Sequence, residues 1–514
     1  MAKGWLIAIS ILVASVFSAF LLNACPRHSR YRLELYIQSS GRYGDGVWRV
    51  GASKAAITPF VCANFVDSDG DGRYEPMSGD RLSGTRIWLA GFHNSRPASR
   101  VHDQLWARAV AIDNGVHRIG IISLDLIGLF YDDVIDIRNE AERVGAKCDY
   151  IVVACTHNHN SPDTLGLWGR FRFSCGVDAS YLEMVKRMAV KALTEAISNM
   201  RSCRLSVAQA KTGVDGLIGD SRPPFVVDDR LTVMHFYDAT THETVCAIVH
   251  WANHPEAFGS RNTMVTSDFV HWVRTTVENG IRLPDGGFVG GLGGIAIYIN
   301  GAIGGLMSPM GVSVRSLDGR VIKADGLEKA KALGERVGLL ALKHIRNAKF
   351  VNDTSVEVRS RTITLPIENW LLRIGAHIGV IRHGYFVLRS AVPTEIAFTR
   401  LGEVGMLCIP GELYPEIVIG GVESPSGADY GGEVCESPPL IELMPTKFSL
   451  VIGLANDELG YFIPKTQWDA RPPYSYGECH YGEAMSLGPN AACSLYRGFV
   501  RLMKSTADEL KSRD

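Results

Sequence analysis

Apolar residues along this chain fall in short runs that stop abruptly at polar turns, the pattern of strands buried on both faces. The run Ile151-Val152-Val153 reaches Cys155 and passes straight into Thr156-His157-Asn158-His159-Asn160-Ser161-Pro162. The same form recurs at 244–252, which delivers Asn253-His254-Pro255. It recurs at Val404 to Ile409, which delivers Pro410-Gly411-Glu412, and at Phe448 to Ala455, which leads through Asn456 to Tyr461. Further runs predict strands at 47–57, 104–113, 118–128, 203–210, 231–237 and 295–299, with more inside 354–400. Asn114-Gly115 between two of these runs is a hairpin signal. Apolar residues at helical spacing predict helices over 132–144, 179–200, 266–283, 325–346 and 484–512, with Asp268 as cap of the third. Gly286 to Gly294 reads as a connecting loop. The alternation of the two periods predicts an α/β fold, a mixed twisted β-sheet core flanked by helices. The expected division is a targeting segment at 1–25, a linker and short lead-in at 26–47, and one domain over 48–512.

Composition alters this picture little. With 514 residues the chain is long enough for one large domain or two, and no Pro/Ser-rich stretch cuts it. A formal net charge of −1 removes the basic surface that nucleic-acid binding needs, so no nucleic-acid partner is expected. The N-terminus changes more. Lys3 precedes an almost unbroken apolar run from Gly4 to Ala24, and Leu22-Asn23-Ala24-Cys25 has the form of a lipoprotein cleavage site. That predicts export, to a periplasmic or cell-surface location. Three alternatives stay open: a lipidated Cys25, a plain cleaved signal, and an uncleaved anchor, which the basic cluster Arg27, His28, Arg30 and Arg32 favours. Excluding Cys25, ten cysteines remain of eleven, an even number that permits disulfides in an oxidising compartment although they are scattered through the chain, whereas Cys155 and Cys246 sit in apolar runs as buried thiols.

The chemistry lies at the strand ends. His157 and His159 are two residues apart, so both face one side of a continuing strand and could hold a metal; a hydrogen-bonded pair is the alternative. His254, before a proline at a turn, adds an imidazole, whereas His250 inside its strand reads as a core histidine. Glu412 adds a carboxylate and Tyr461 a phenol. Such a set suits a zinc site that leaves room for water. Ser308 stands in the Gly-rich turn after 295–299, without the elbow motif of a nucleophilic serine. Asp67, Asp69, Asp71 and Glu75 resemble the start of a calcium loop, although Ser78 stands where a closing Glu belongs.

These stretches together resemble the catalytic domain of the neutral/alkaline non-lysosomal ceramidase family. The resemblance runs over 48–505, through Gly51–Pro59, Thr156–Pro162, Ser221-Arg222-Pro223, Leu231-Thr232-Val233, Asn253–Pro255, Pro410–Glu412 and Gly453–Tyr461. It implies zinc held by His157, His254, Glu412 and Tyr461. It implies that His159 and Arg222 stabilise an oxyanion and that Ser308 matches a serine of the family's site. The implied reaction is hydrolysis of an N-acyl-sphingosine, a lipid amide met at a membrane surface. The chain departs from the family pattern at Asn158 and Asn160-Ser161, and at Gly304–Met310, which is one residue longer and lacks an Asp. The family's C-terminal β-sandwich domain is not expected. A hydrolase of the same fold acting on another amide or ester, and a non-catalytic envelope protein that binds lipid or glycan, are the competing readings.

Overall fold

The computed structural model describes residues 18, 25–44, 46–61, 64–66, 68, 81–83, 87–384, 390–478 and 481–505. Two sheets stack face to face with helices on both outer sides, giving four layers. The larger has nine strands. Its hydrogen-bonded order is Ile295–Ile299, Thr244–His250, Arg230–Asp238, Arg201–Lys211, Trp48–Ala56, Trp106–Asp113, Arg118–Leu124 and Tyr150–Cys155, with Lys349–Val351 added beside Arg201–Lys211. The smaller sheet has five, in the order Glu34–Ser39, Val356–Pro366, Ala391–Leu401, Val404–Cys408 and Phe448–Ile452.

The period of two sorts the side chains between layers. Val152 and Ala154 point into the space between the sheets, where they meet Ala397, Met406 and Ile452. Ile151, Val153 and Cys155 point the other way, against the helices Tyr131–Arg143 and Ala179–Ser198. In the smaller sheet Ile396 and Phe398 face outward onto the helix Ala491–Lys504. Both faces of each sheet are covered, which is why the strands read as unbroken apolar runs.

Two features bring strand ends together. The larger sheet curls, so Ser123 near one end of its order donates to the Tyr298 carbonyl at the other end, 2.6 Å away. Arg108 likewise reaches the Ala296 carbonyl at 2.7 Å. The two sheets are then stitched at Leu454–Asn456: Cys155 N–H donates to Leu454 O at 3.1 Å, and Asn456 N–H to Val153 O at 2.7 Å. His250 acts as a core histidine here, its Nε2 lying 2.7 Å from the Val451 carbonyl across the sheet interface.

The fold corrects several expectations. The stretch 26–47 is not a linker throughout: Glu34–Ser39 is an edge strand of the smaller sheet, and Arg27 pairs with Asp133 at 2.7 Å. Its side chains are only partly buried, so the apolar period is weak. Gly286 to Gly294 is not all loop, because Phe288–Gly290 pairs with Gly280–Arg282 in a hairpin. Inside 354–400 the helix Trp370–His377 separates two strands. The C-terminal helix starts at Ala491 rather than near 484. The helix after Asp268 runs Phe269–Asn279, and the Asp268 carboxylate does accept from Phe269 N–H. Cys435 and Cys493 form a disulfide, while Cys155 and Cys246 are buried free thiols. No helix among the described residues is long and apolar enough to cross a membrane; the expected targeting segment lies outside them except for Ser18 and Cys25.

Candidate active site

His157 stands two residues beyond the strand Tyr150–Cys155, with φ at 63°, in the left-handed region that a β-branched or bulky residue rarely adopts. The bend turns its ring out of the strand line. Nδ1 lies 2.8 Å from the Ile127 carbonyl. His254 follows the strand Thr244–His250, and its Nδ1 lies 2.5 Å from the Met307 carbonyl. A carbonyl only accepts, so each Nδ1 carries a proton and Nε2 is the ring atom left to face the cavity wall. Both Nε2 atoms converge on one carboxylate. Glu412 Oε1 is 3.5 Å from His157 Nε2, and Oε2 is 3.0 Å from His254 Nε2.

Glu412 and Tyr461 lie beyond the ends of two strands of the smaller sheet, Val404–Cys408 and Phe448–Ile452. They are direct partners in a short parallel pairing of Glu412–Leu413 with Tyr461–Phe462. The Tyr461 phenol lies beside the Glu412 carboxylate and helps hold its pKa below the usual value. All four residues are buried. Burial pulls the His157 pKa down to about 4, so that ring is neutral at pH 7. Burial also opposes charge on His254, but the Glu412 and Glu256 carboxylates more than offset it and its pKa ends above the usual value. Burial pushes the Tyr461 phenol well above its usual value.

His159 sits beside them. One ring nitrogen from each of His157, His159 and His254 lies within 4.8 Å of the others. Neither nitrogen of His159 has a hydrogen-bond partner, although both are shielded from water; Nδ1 is 3.3 Å from Glu256 Oε2 without the alignment of a hydrogen bond. Gly91 at φ +76° backs against this ring, and a Cβ there would fall 2.4 Å from Nδ1. The Asn departures from the family pattern have a local purpose: Asn158 donates to the Thr266 carbonyl at 2.7 Å and Asn160 to Asp268 at 3.0 Å, tying the histidine loop to the next helix.

The group therefore fits a cation such as zinc. Two oriented imidazoles, a carboxylate and a phenol converge, and a third imidazole has unpartnered nitrogens at the same point. They form one wall of a cavity of about 500 Å³ whose remaining lining is mostly apolar, including Ile127, Phe130, Leu165, Trp168, Ile381 and Leu487.

Ser308 lines this cavity; its hydroxyl accepts from Met310 N–H at 2.9 Å and lies near the Glu256 carboxylate. Arg222 is not brought to the cavity wall. It is fully buried behind it, 2.5 Å from Glu483 Oε1, bonded to the Gln467 carbonyl at 2.7 Å and stacked between the rings of Tyr414 and Tyr476. Asp67, Asp69, Asp71 and Glu75 lie outside the described residues.

Sequence reasoning missed five polar lining residues: Asp220, Glu256, His383, Glu458 and Tyr481. Glu256 follows His254-Pro255 as Glu412 follows Pro410-Gly411, so the strand-end signal was there to read. Glu458 is buried with Oε2 unpartnered, and burial beside Glu412 raises its pKa well above the usual carboxylate value. Burial also lifts Asp220 to about 7. Tyr481 carried no signal; its ring lies 6.1 Å from that of Tyr461 and is half exposed.

No protein-family model matches the chain, and no curated protein matches it. Among solved structures it is similar to the neutral ceramidase from Pseudomonas aeruginosa, with a TM-score of 0.64 at 15% identity, over 89% of this chain and 74% of that one. It is also similar to a ceramidase complexed with C2, with a TM-score of 0.62 at 15% identity, over 89% of this chain and 75% of that one. The chain thus has a ceramidase-type α/β fold.

Proposed function

We propose that this protein is a zinc-dependent amidohydrolase that cleaves the N-acyl amide of ceramide-type lipids, releasing a fatty acid and a sphingoid base. The observation that carries this reading is the convergence of His157, His254, Glu412 and Tyr461 on one wall of an apolar cavity. These four residues would hold the ion. Zinc bound there would supply Lewis acidity and bring the pKa of a water molecule to about 7.

The chain's own residues do the rest. The apolar lining takes an alkyl chain and excludes water, which strengthens every polar interaction at the wall. His159, with both nitrogens unpartnered, is placed to donate to the amide oxygen as charge develops on it. Glu256 stands beside both Ser308 and His159 Nδ1, adding negative charge at this point of the wall. Arg222 acts at one remove, by clamping Glu483 and the Tyr414 ring behind the wall. No Lys or Arg lines the cavity among the described residues, whereas Asp220, Glu256, Glu412 and Glu458 do. That charge pattern favours a neutral, hydroxylated head group over an N-acyl amino acid, whose carboxylate would find no partner.

The test is metal analysis of the purified protein together with release of fatty acid from ceramides, N-acyl amino acids and simple esters. The expected result is one zinc per chain and hydrolysis of ceramide. A chain that carries no divalent cation and cleaves none of these substrates overturns the reading. Export rests on Lys3, the run from Gly4 to Ala24 and Cys25; mass spectrometry of the mature N-terminus tests it.

A further inference from the structure

Two neighbouring segments wall the cavity and turn a second apolar side to water. The first is the helix Trp370–His377. Leu372 and Ala376 face the cavity. Trp370 is 62% exposed, and Leu371, Ile374 and Ile378 are exposed as well. Their spacing of i, i+1, i+4 and i+8 puts them on one helical face, so this element is apolar on both sides. The second is the loop 165–175. Leu165, Leu167 and Trp168 face the cavity, while Phe171 and Phe173 are 51% and 65% exposed.

The two segments abut. Gly166, at φ +97°, approaches the Val380 carbonyl so closely that a Cβ would fall 1.8 Å from it. Leu165, Ala376 and Ile381 share one buried cluster. The exposed side chains therefore border the same cavity rather than being scattered singly over the surface, and such a contiguous patch marks an interaction site.

Its polar component narrows the partner. The loop reads Arg170-Phe171-Arg172-Phe173, with the Arg170 guanidinium 5.2 Å from the Phe171 ring centre and that of Arg172 5.9 Å from Phe173. Arg382 is exposed on the other segment. The chain as a whole has a formal net charge of −1, so these cations are a local concentration and not part of a general basic surface. Aromatic and aliphatic side chains interleaved with arginines match the interfacial zone of a bilayer, where rings enter the acyl boundary and guanidinium groups meet phosphates.

We propose that this face docks on a phospholipid bilayer containing anionic lipids, with Trp370, Leu371, Ile374, Ile378, Phe171 and Phe173 in the interfacial layer. The cavity bordered by these segments then draws its lipid from the bilayer without a passage through water. The docking side chains belong to the loop and the helix, and Cys25 and Pro26 lie against Gly384, two residues from Arg382. That the lipid delivered is an amide rests on the amidohydrolase reading; the docking itself does not.

The test uses the full chain and vesicles of phosphatidylglycerol mixed with phosphatidylcholine brominated on its acyl chains. Bromine quenches tryptophan only at short range. The expected result is quenching that Trp370→Phe clearly reduces, together with vesicle affinity about tenfold lower or more in Phe171→Ser/Phe173→Ser, by loss of buried apolar area. Both variants alter exposed side chains, and their unfolding midpoints should match the parent chain. Quenching unchanged in Trp370→Phe, with affinity unchanged in the double variant, overturns the proposal and leaves membrane binding to the N-terminal segment. A concentration-dependent dimer that the double variant dissolves, without quenching by vesicles, overturns it in favour of self-association. No turnover enters these readouts. Docking without hydrolysis of any amide would sink the proposed function and leave the surface standing; hydrolysis without docking would do the reverse.

Discussion

Two clusters of buried polar side chains lie near the strand Tyr150–Cys155, and they are built on opposite principles. Behind the strand, Glu395 receives two bonds from Arg138, at 2.5 and 3.0 Å, and further bonds from Tyr150 at 2.5 Å, Ser360 at 3.0 Å and Asn456 at 3.2 Å. Arg138 also donates twice to the Ile151 carbonyl. In front of the strand end, His159 has two unpartnered nitrogens, and Glu458 and Asp220 each have an unpartnered oxygen. A saturated network fixes one arrangement of the core, since removing any member strands a buried charge. An unsaturated one costs stability and persists where a ligand completes it. Burial alone does not separate the two clusters. Satisfaction does.

The comparison can be broken first at the front cluster. His157→Ala should lower kcat/KM by about a thousandfold or more and remove most of the bound metal, since one imidazole and its carbonyl-fixed orientation are lost. Prolonged chelation should do the same to the parent chain, and zinc should restore it. The unfolding midpoint of metal-free His157→Ala should stay near that of the metal-free parent; a large drop would mean that the residue is structural.

Next comes the saturated cluster. Glu395→Ala leaves Arg138 buried without its carboxylate and should cost about 3–5 kcal/mol, read by denaturant unfolding. Activity per folded molecule should hold. Glu458→Gln sharpens the contrast. The amide keeps the acceptor for Gly460 N–H, 3.0 Å away, and replaces an oxygen that has no partner. Stability should change by no more than about 1 kcal/mol, while turnover of a hydroxylated lipid amide changes by about tenfold.

The smallest effect is a pH dependence at the edge of the cavity. His383 is held by Asp457 at 3.1 Å and by the Gly384 carbonyl at 2.7 Å. Burial opposes its charge, but Asp457 outweighs burial and raises the pKa above the usual histidine value. A raised folded pKa stabilises fully below about pH 6.5, and that contribution fades as pH rises through the folded value. Stability followed from pH 6 to 9 should fall by an amount on the order of 1 kcal/mol, and His383→Gln should flatten that part of the profile.

The wall residues differ in how legible they were. His157, His254 and Glu412 each follow an apolar run and a turn, a local signal that periodicity exposes. Glu256 carries the same signal, masked by its neighbour His254. Arg222 shows the opposite case. Its segment matches the family pattern, yet Glu483, 261 positions away, holds the guanidinium behind the cavity. Trp370–His377 was hidden because a helix that is apolar on both sides has no clear stripe.

By itself the sequence determined most strands of the two sheets, roughly where they stop, and that metal-type ligands follow four of them, because these depend on neighbours a few positions apart. Only the tertiary structure decided that the stops meet. Thr244–His250 and Tyr150–Cys155 lie toward opposite ends of the larger sheet's order, and Glu412 and Tyr461 belong to the other sheet's connections. Curling of one sheet and stacking of the second close those distances. Both arise from twist and from burial of apolar faces summed over the whole chain, which no local window contains.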